Sequence, residues 1–147
     1  MLRAVKRIRV EWSHCDPARI IYNPNYYIWM DQGTHGLLDA AGFPYAEEVG
    51  KNGFRGCPLV ASGADFMRPL QFNDIVVLTS SVASFGRTSF RVEHLFAIGD
   101  TTYAKGFEVR VWARDTDDGS GGLVAVPVPE YIREKLSRDV VVDTTLK

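Results

Sequence analysis

Cysteine is scarce in this sequence, with only Cys15 and Cys57 among 147 residues. Their spacing fits no metal motif and supplies no disulfide framework, so both read as reduced thiols of a cytoplasmic protein. No apolar run is long enough to span a bilayer, and no secretory leader pattern is visible; no membrane role is expected. Charge of one sign is lacking too. Seventeen Lys and Arg against eighteen Asp and Glu leave a formal net charge of -1, which removes the usual reason to expect a nucleic-acid partner. A P-loop, a G-x-S-x-G nucleophile elbow and a dinucleotide fingerprint are all absent, and enzymes that depend on them are disfavoured. What is present is a chain with 46% hydrophobic residues, long enough to bury one core unaided.

The chain is organised around Glu11 to Gly42. Ile8, Val10 and Trp12 alternate with Arg7, Arg9 and Glu11, which predicts a half-buried first strand. Pro17 disfavours helical geometry in the residue before it, so His14, Cys15 and Asp16 are expected to be extended. A long helix follows. Asn23 is a good cap, Pro24 fits the first helical position, and Tyr26, Trp29, Met30, Gly33, Leu37 and Ala41 form an apolar stripe. Gly42 and Pro44 end it. Tyr45 to Gly50 predicts a short helix, and a glycine-punctuated loop comes next.

From Pro58 the period changes to that of strands. Leu59 to Met67 reads as a strand, with a bulge or a close approach to the helix expected near Gly63. Ile75 to Ala83 and Phe90 to Ile98 follow, the latter with Phe90, Val92, His94, Phe96 and Ile98 on one parity. Tyr103 to Ala113 places Phe107, Val109 and Val111 on one face and Glu108, Arg110 and Trp112 on the other. Leu123 to Val128 is expected to close the sheet, and Pro129 to start a final helix through Leu136. The order predicts an α+β fold in which a curved antiparallel sheet wraps one long central helix. Residues 1–138 make a single domain and 139–147 a tail without a partner. Leftover apolar and aromatic surface, including some of Tyr22, Tyr27 and Trp112, favours pairing of two copies.

Most chemically usable groups lie just before the long helix. Asp16 is the leading carboxylate, because the nearby helix start offers unpaired N–H groups that can hold developing negative charge on an acyl carbonyl. A carboxylate there can attack the carbonyl or activate water. Its structural alternative is to anchor an Asx-type turn. His14 is a substrate-orienting group or packing, and Cys15 a buried thiol rather than a nucleophile. Asn23 caps the helix, lends its N–H to the carbonyl, or does both. Asp31 and His35 are four apart on one face and can pair; Asp31 is carried as a substrate-binding candidate alongside Tyr22, with a structural or interface contact as the alternative. No metal set is complete, and Asp115, Asp117 and Asp118 lack the terminal acidic ligand of a calcium loop. Asp65 is a pocket group or an edge residue. Arg87 follows a glycine turn and can hold a phosphate or lie solvated.

The stretch HCDPARIIYNPNYYIWMD, followed by ADFMRPLQFNDIVVLTSSV and FGRTSFRVEHLFAIGD, resembles the hot-dog-fold acyl-CoA thioesterases related to bacterial 4-hydroxybenzoyl-CoA thioesterase. That resemblance covers approximately Arg7 to Tyr131. It implies a sheet wrapped around a central helix, assembled into a homodimer or homotetramer. It also implies Asp16 as nucleophile or general base, the Asn23 N–H at the thioester carbonyl, and Arg87 at the CoA nucleotide. Coenzyme A is then part of the substrate, and no retained cofactor is expected. Two departures stand out. Arg19 occupies the place of the glycine in the family's usual D-P-A-G, where it attracts an acidic substrate or a CoA phosphate, or narrows the site. Gly86 stands before Arg87 in place of a second arginine. The implied reaction is hydrolysis of an acyl-CoA, with aryl or medium-length acyl groups both open, to a carboxylate and CoA. A noncatalytic acyl-CoA binding module and a hot-dog hydratase or dehydratase are the alternatives, the latter resting on His14 and His94.

Overall fold

A computed structural model describes residues 1–146. Strand β1 (Arg3–Arg9) leads through a single 3-10 turn (Trp12–His14) into helix α1 (Pro24–Ala40). Then come α2 (Tyr45–Glu48), β2 (Phe54–Gly56), β3 (Leu59–Phe66), β4 (Ile75–Phe85), β5 (Ser89–Ile98) and β6 (Thr101–Val111). The chain ends with β7 (Ala113–Asp115), β8 (Leu123–Ala125), α3 (Glu130–Ser137) and β9 (Val141–Asp143). Six strands form the main sheet in the order β3-β6-β5-β4-β1-β9, antiparallel except where β9 runs beside β1. α1, 17 residues and roughly 25 Å long, lies across one face of this sheet. This is the expected α+β hot-dog arrangement. Among the described residues no helix is long and apolar enough to cross a membrane.

The stripe read from the sequence is the packing face of α1. Tyr26, Trp29 and Met30 join Val76, Leu78 and Phe96 in one half of the core. Leu37, Leu38 and Ala41 join Val82, Phe90 and Val92 in the other. Full burial of each large side chain contributes about 1.5–3 kcal/mol, so this face, rather than helix propensity, holds α1 in place. Two glycines let the helix sit close. A Cβ at Gly33 would lie 2.5 Å from Ser80 Oγ, and one at Gly106 would run into Met30 Sδ.

Several expectations are corrected. Trp12 does not continue β1; it opens the 3-10 turn, is 63% exposed and packs edge-on against Phe72. Trp112 is buried in the aromatic group of Phe43 and Phe54, so of the three candidates for surface aromatics Tyr22 and Tyr27 are the exposed ones. Gly63 carries no bulge. It pairs in register with Phe107, whose ring it approaches, and the register shift lies between Leu59 and Ala61. The 123–125 strand does not close the main sheet but pairs with β7 in a separate three-stranded sheet containing β2. Nor are the described residues 139–146 without a partner, residue 147 lying outside the described residues. β9 pairs with β1, and the Thr144 N–H donates to Val5 O at 2.7 Å. Only the tertiary approach of the two chain ends makes that edge available.

Candidate active site

The β1–α1 junction is built from backbone bonds. The His14 N–H donates to Glu11 O, and the Glu11 N–H donates to His14 Nδ1 at 2.8 Å. His14 is therefore part of the turn, not an extended residue sharing a face with Asp16, and its ring packs edge-on against Trp29. Beyond it Cys15 bridges to Ile21, the Asp16 N–H donates to Ile20 O at 2.9 Å, and the Arg19 N–H donates to Asp16 O at 2.9 Å. The Tyr22 N–H and Asn25 Nδ2 both donate to His14 O at 2.8 Å, which ties the loop to the start of α1.

Asp16 is half-buried in this loop, and its Oδ1 accepts from the Ala18 N–H at 2.8 Å. The Asx turn is real and orients the carboxylate, while Oδ2 has no protein donor among the described residues. At the helix start, Asn23 has helical backbone angles and makes no side-chain cap, contrary to expectation. The Asn25 N–H goes to Tyr22 O and the Tyr26 N–H to Asn23 O, so among the described residues the Asn23 N–H enters no backbone hydrogen bond. An oriented carboxylate and an open donor at a positive helix end thus share one junction. Tyr22 is exposed beside them.

Arg19 is exposed and adopts φ 67°, a left-handed conformation that suits glycine better than a Cβ-bearing residue. Arg19→Gly is expected to relieve this and stabilise the protein by about 1 kcal/mol, a rise of about 3 °C in Tm. Thermal unfolding checks it; an unchanged or lower Tm would mean that the arginine side chain offsets the strain.

Within one protomer Arg87 is far from Asp16. The junction is bonded to the chain just before β4, through Ile21 to Leu70 and Val10 to Asp74, whereas Arg87 follows the other end of β4. Eleven strand residues separate the two ends by roughly 33 Å. Arg87 is exposed, and its carbonyl accepts from the Val128 N–H and Arg133 Nη2.

A second polar group, not anticipated from sequence, lies beneath the middle of α1. Glu108 and Arg110 occupy the buried face of β6, while Phe107 and Val109 face the other way. Arg110 donates through Nε and Nη2 to Glu108 at 3.2 and 2.8 Å, through Nη1 to Cys57 O at 2.9 Å, and through Nη2 to Asp31 Oδ1 at 2.6 Å. Thr34 Oγ1 donates to Glu108 at 2.5 Å, His94 Nε2 is 3.3 Å from the same carboxylate, and His94 Nδ1 meets Ser80 Oγ at 2.8 Å. Burial works to raise the Glu108 pKa, but the bonds from His94, Arg110 and Thr34 outweigh it and bring it down to about 2. Burial likewise works against the Arg110 charge, and its carboxylate partners raise its pKa above the ordinary value. Cys57, nearby, has its thiol pushed up to about 12 by burial, so it is no nucleophile. The readable signal was a Glu-x-Arg pair on one strand parity beside a core-parity histidine.

Asp31 is half-exposed on the flank of α1, with His35 Nε2 at 3.8 Å and the His35 ring stacked on Tyr45. His94 is buried and engaged on both nitrogens, and His14 accepts a backbone bond, so neither histidine is presented as a hydratase acid or base. Among the described residues no three of His, Cys, Asp and Glu converge as a metal set. A concavity of about 780 Å³ lies along the sheet, lined by Asp65, Thr79, Arg91, Glu93, His94 and Lys105 among others; none of Asp16, Asn23, Asp31 and Arg87 borders it.

Residues 10–136 match the Thioesterase-like superfamily. The 4-hydroxybenzoyl-CoA thioesterase of Pseudomonas sp. (strain CBS-3) is 30% identical over 133 residues, which cover 84% of this chain and 91% of that protein. The structure of a gentisyl-coenzyme A thioesterase superposes with a TM-score of 0.77 at 34% identity, over 91% of this chain and 99% of the other. A variant of 4-hydroxybenzoyl-CoA thioesterase in complex with 4-hydroxybenzoyl-CoA superposes with a TM-score of 0.82 at 28% identity, over 92% and 99%.

Proposed function

The chain belongs to the Thioesterase-like superfamily, and on that premise we propose that it hydrolyses a hydroxyaryl-CoA thioester to the free acid and coenzyme A. The observation that carries the reading is that one short junction before α1 holds both an Asp16 carboxylate whose Oδ2 has no protein donor and an Asn23 N–H that enters no backbone hydrogen bond among the described residues. The Asn23 N–H and the positive helix end hold the thioester oxygen as it gains charge. Asp16 attacks the carbonyl carbon, or takes a proton from a water that does so, and the C–S bond breaks to release CoA thiolate. In the direct route the resulting Asp16 acyl anhydride is then opened by water. The two relatives that act on hydroxylated aryl thioesters support the substrate class, with Asp31 as the acceptor for the acyl hydroxyl and Tyr22 and His14 along the acyl path.

Arg87 serves the CoA phosphates from a second copy of the chain, because it lies too far from Asp16 in its own. β3 supports such pairing. It is a sheet edge eight residues long, with Val60 and Phe66 exposed on it and Met67 just beyond, a surface suited to a matching strand. The assembly proposed is a homodimer, or two such dimers as a tetramer. A cytoplasmic location accords with an acyl-CoA substrate and two free thiols.

The test is release of free CoA thiol across aryl and straight-chain acyl-CoAs. Preference for hydroxyaryl thioesters supports the reading; binding of acyl-CoA without release across the panel would leave a binding module. Arg87→Ala is expected to raise KM for the CoA thioester roughly tenfold, the loss of a charge-assisted bond, with kcat little changed. A truncated thioester without the nucleotide should be indifferent to the change. Equal effects on both substrates would remove Arg87 from the CoA site.

A further inference from the structure

We infer that Arg110, locked in place by Glu108, is a positioning residue that fixes the Asp31 carboxylate as an oriented acceptor for a hydroxyl on the acyl group. The inference rests on the hydroxyaryl-CoA reading above. A solitary aspartate on a helix flank samples several rotamers and is covered by water. Here Oδ1 is pinned at 2.6 Å by a guanidinium that is itself held at all three nitrogens, its Nε and Nη2 by Glu108 and its Nη1 by the Cys57 carbonyl. Glu108 is pinned in turn by Thr34 and His94, and His94 by Ser80, and no buried side-chain polar atom among the described residues lacks a partner.

The arrangement asks for more than core stability does. Arg110 needs one buried carboxylate for neutrality and has two; the second lies half in solvent, with no protein donor on Oδ2 among the described residues. Such a group is a prepared acceptor. The stacked His35 and Tyr45 rings form an aromatic wall close to it. Arg110 also pairs with Leu59 of the edge strand β3, at the register shift, which puts the Arg110 strand position next to the edge where a second copy is proposed to pair. A fixed acceptor separates a hydroxylated ring from a bare one because the bare ring leaves it unpaired.

The experiment compares kcat/KM for 4-hydroxybenzoyl-CoA and benzoyl-CoA in the native chain, Asp31→Asn, the charge-balanced pair Glu108→Gln with Arg110→Met, and all three changes together. Removing both charges avoids stranding either one in the core. The hydroxyl preference should fall roughly tenfold in Asp31→Asn and in the pair, and adding the pair to Asp31→Asn should lower it no further. If Asp31→Asn lowers the preference but the folded pair keeps it, Arg110 does not position the carboxylate. If Asp31→Asn leaves the preference intact, or the native chain has none, the Asp31 reading itself fails and the inference with it. Equal losses on both thioesters in the pair would make the network purely structural. Should the pair not fold, Arg110→Lys keeps the cation without its fork; a preference lowered about threefold supports the inference, and an unchanged one overturns it.

Discussion

Asp16→Asn is expected to lower the turnover of acyl-CoA at least a thousandfold while leaving the fold and acyl-CoA binding in place. The reason lies in how the two carboxylate oxygens are used. Oδ1 accepts the Ala18 N–H and closes the Asx turn, a task that the amide oxygen of asparagine performs equally well. The other oxygen becomes an NH₂ group, which neither attacks a carbonyl nor takes a proton from water. A single substitution therefore separates the structural role of residue 16 from the chemical one. Thiol release under saturating substrate measures the chemistry; Tm and acyl-CoA affinity control for fold and binding. Turnover within threefold of the native value in a folded variant would end the assignment of Asp16 and reduce it to a turn residue.

The second large effect concerns stability. Glu108→Gln is expected to destabilise the protein by about 3 kcal/mol at neutral pH, because Arg110 keeps only the half-exposed Asp31 as counter-charge and two of its donors then face an amide. The pH dependence identifies the cause. Glu108 has its pKa lowered from 4.5 to about 2, so below pH 4.5 the unfolded chain takes up a proton that the folded protein refuses. Its contribution is complete above about pH 5 and is lost as the pH falls toward 2. The shift corresponds to a contribution on the order of 3 kcal/mol. Urea unfolding of the native chain between pH 7 and pH 3 should show stability falling across the acid range. In Glu108→Gln that fall should flatten, since the titrating group is gone. A variant whose stability drops just as steeply with acid would place the acid sensitivity in other carboxylates.

The placement of these two carboxylates shows where reading a sequence succeeds. The turn at Asp16 was legible because its surroundings are local: a proline after it and a helix start eight residues on, fixed by backbone preferences that act over a few positions. The same holds for α1, for the buried parity of β5 and for α3, where a proline start and an apolar period were enough. Even the Arg19 departure was visible, although the strain behind it became clear only with its φ angle. Trp12 was misplaced because alternation looked continuous, whereas the strand stops three residues earlier, at Arg9, and the Glu11 and His14 bonds close a turn in its place.

Glu108 was not recognisable, for an opposite reason. A charged residue on an alternating strand ordinarily marks the wet face. It goes inward here because Arg110, Thr34 and His94, from two strands and a helix, converge to replace its water. Such compensation depends on contacts between residues up to 74 positions apart, which no periodicity encodes. The pairing of β9 with β1 and the distance between Asp16 and Arg87 belong to the same class. By itself the sequence determined the long helix, the main antiparallel strands β3 to β6 and the turn that holds Asp16, because short-range sterics and apolar period govern them. Only the tertiary structure decided which polar side chains are buried, how the chain ends meet, and that one copy does not bring Arg87 to Asp16, because burial and assembly are settled by partners distant in the chain.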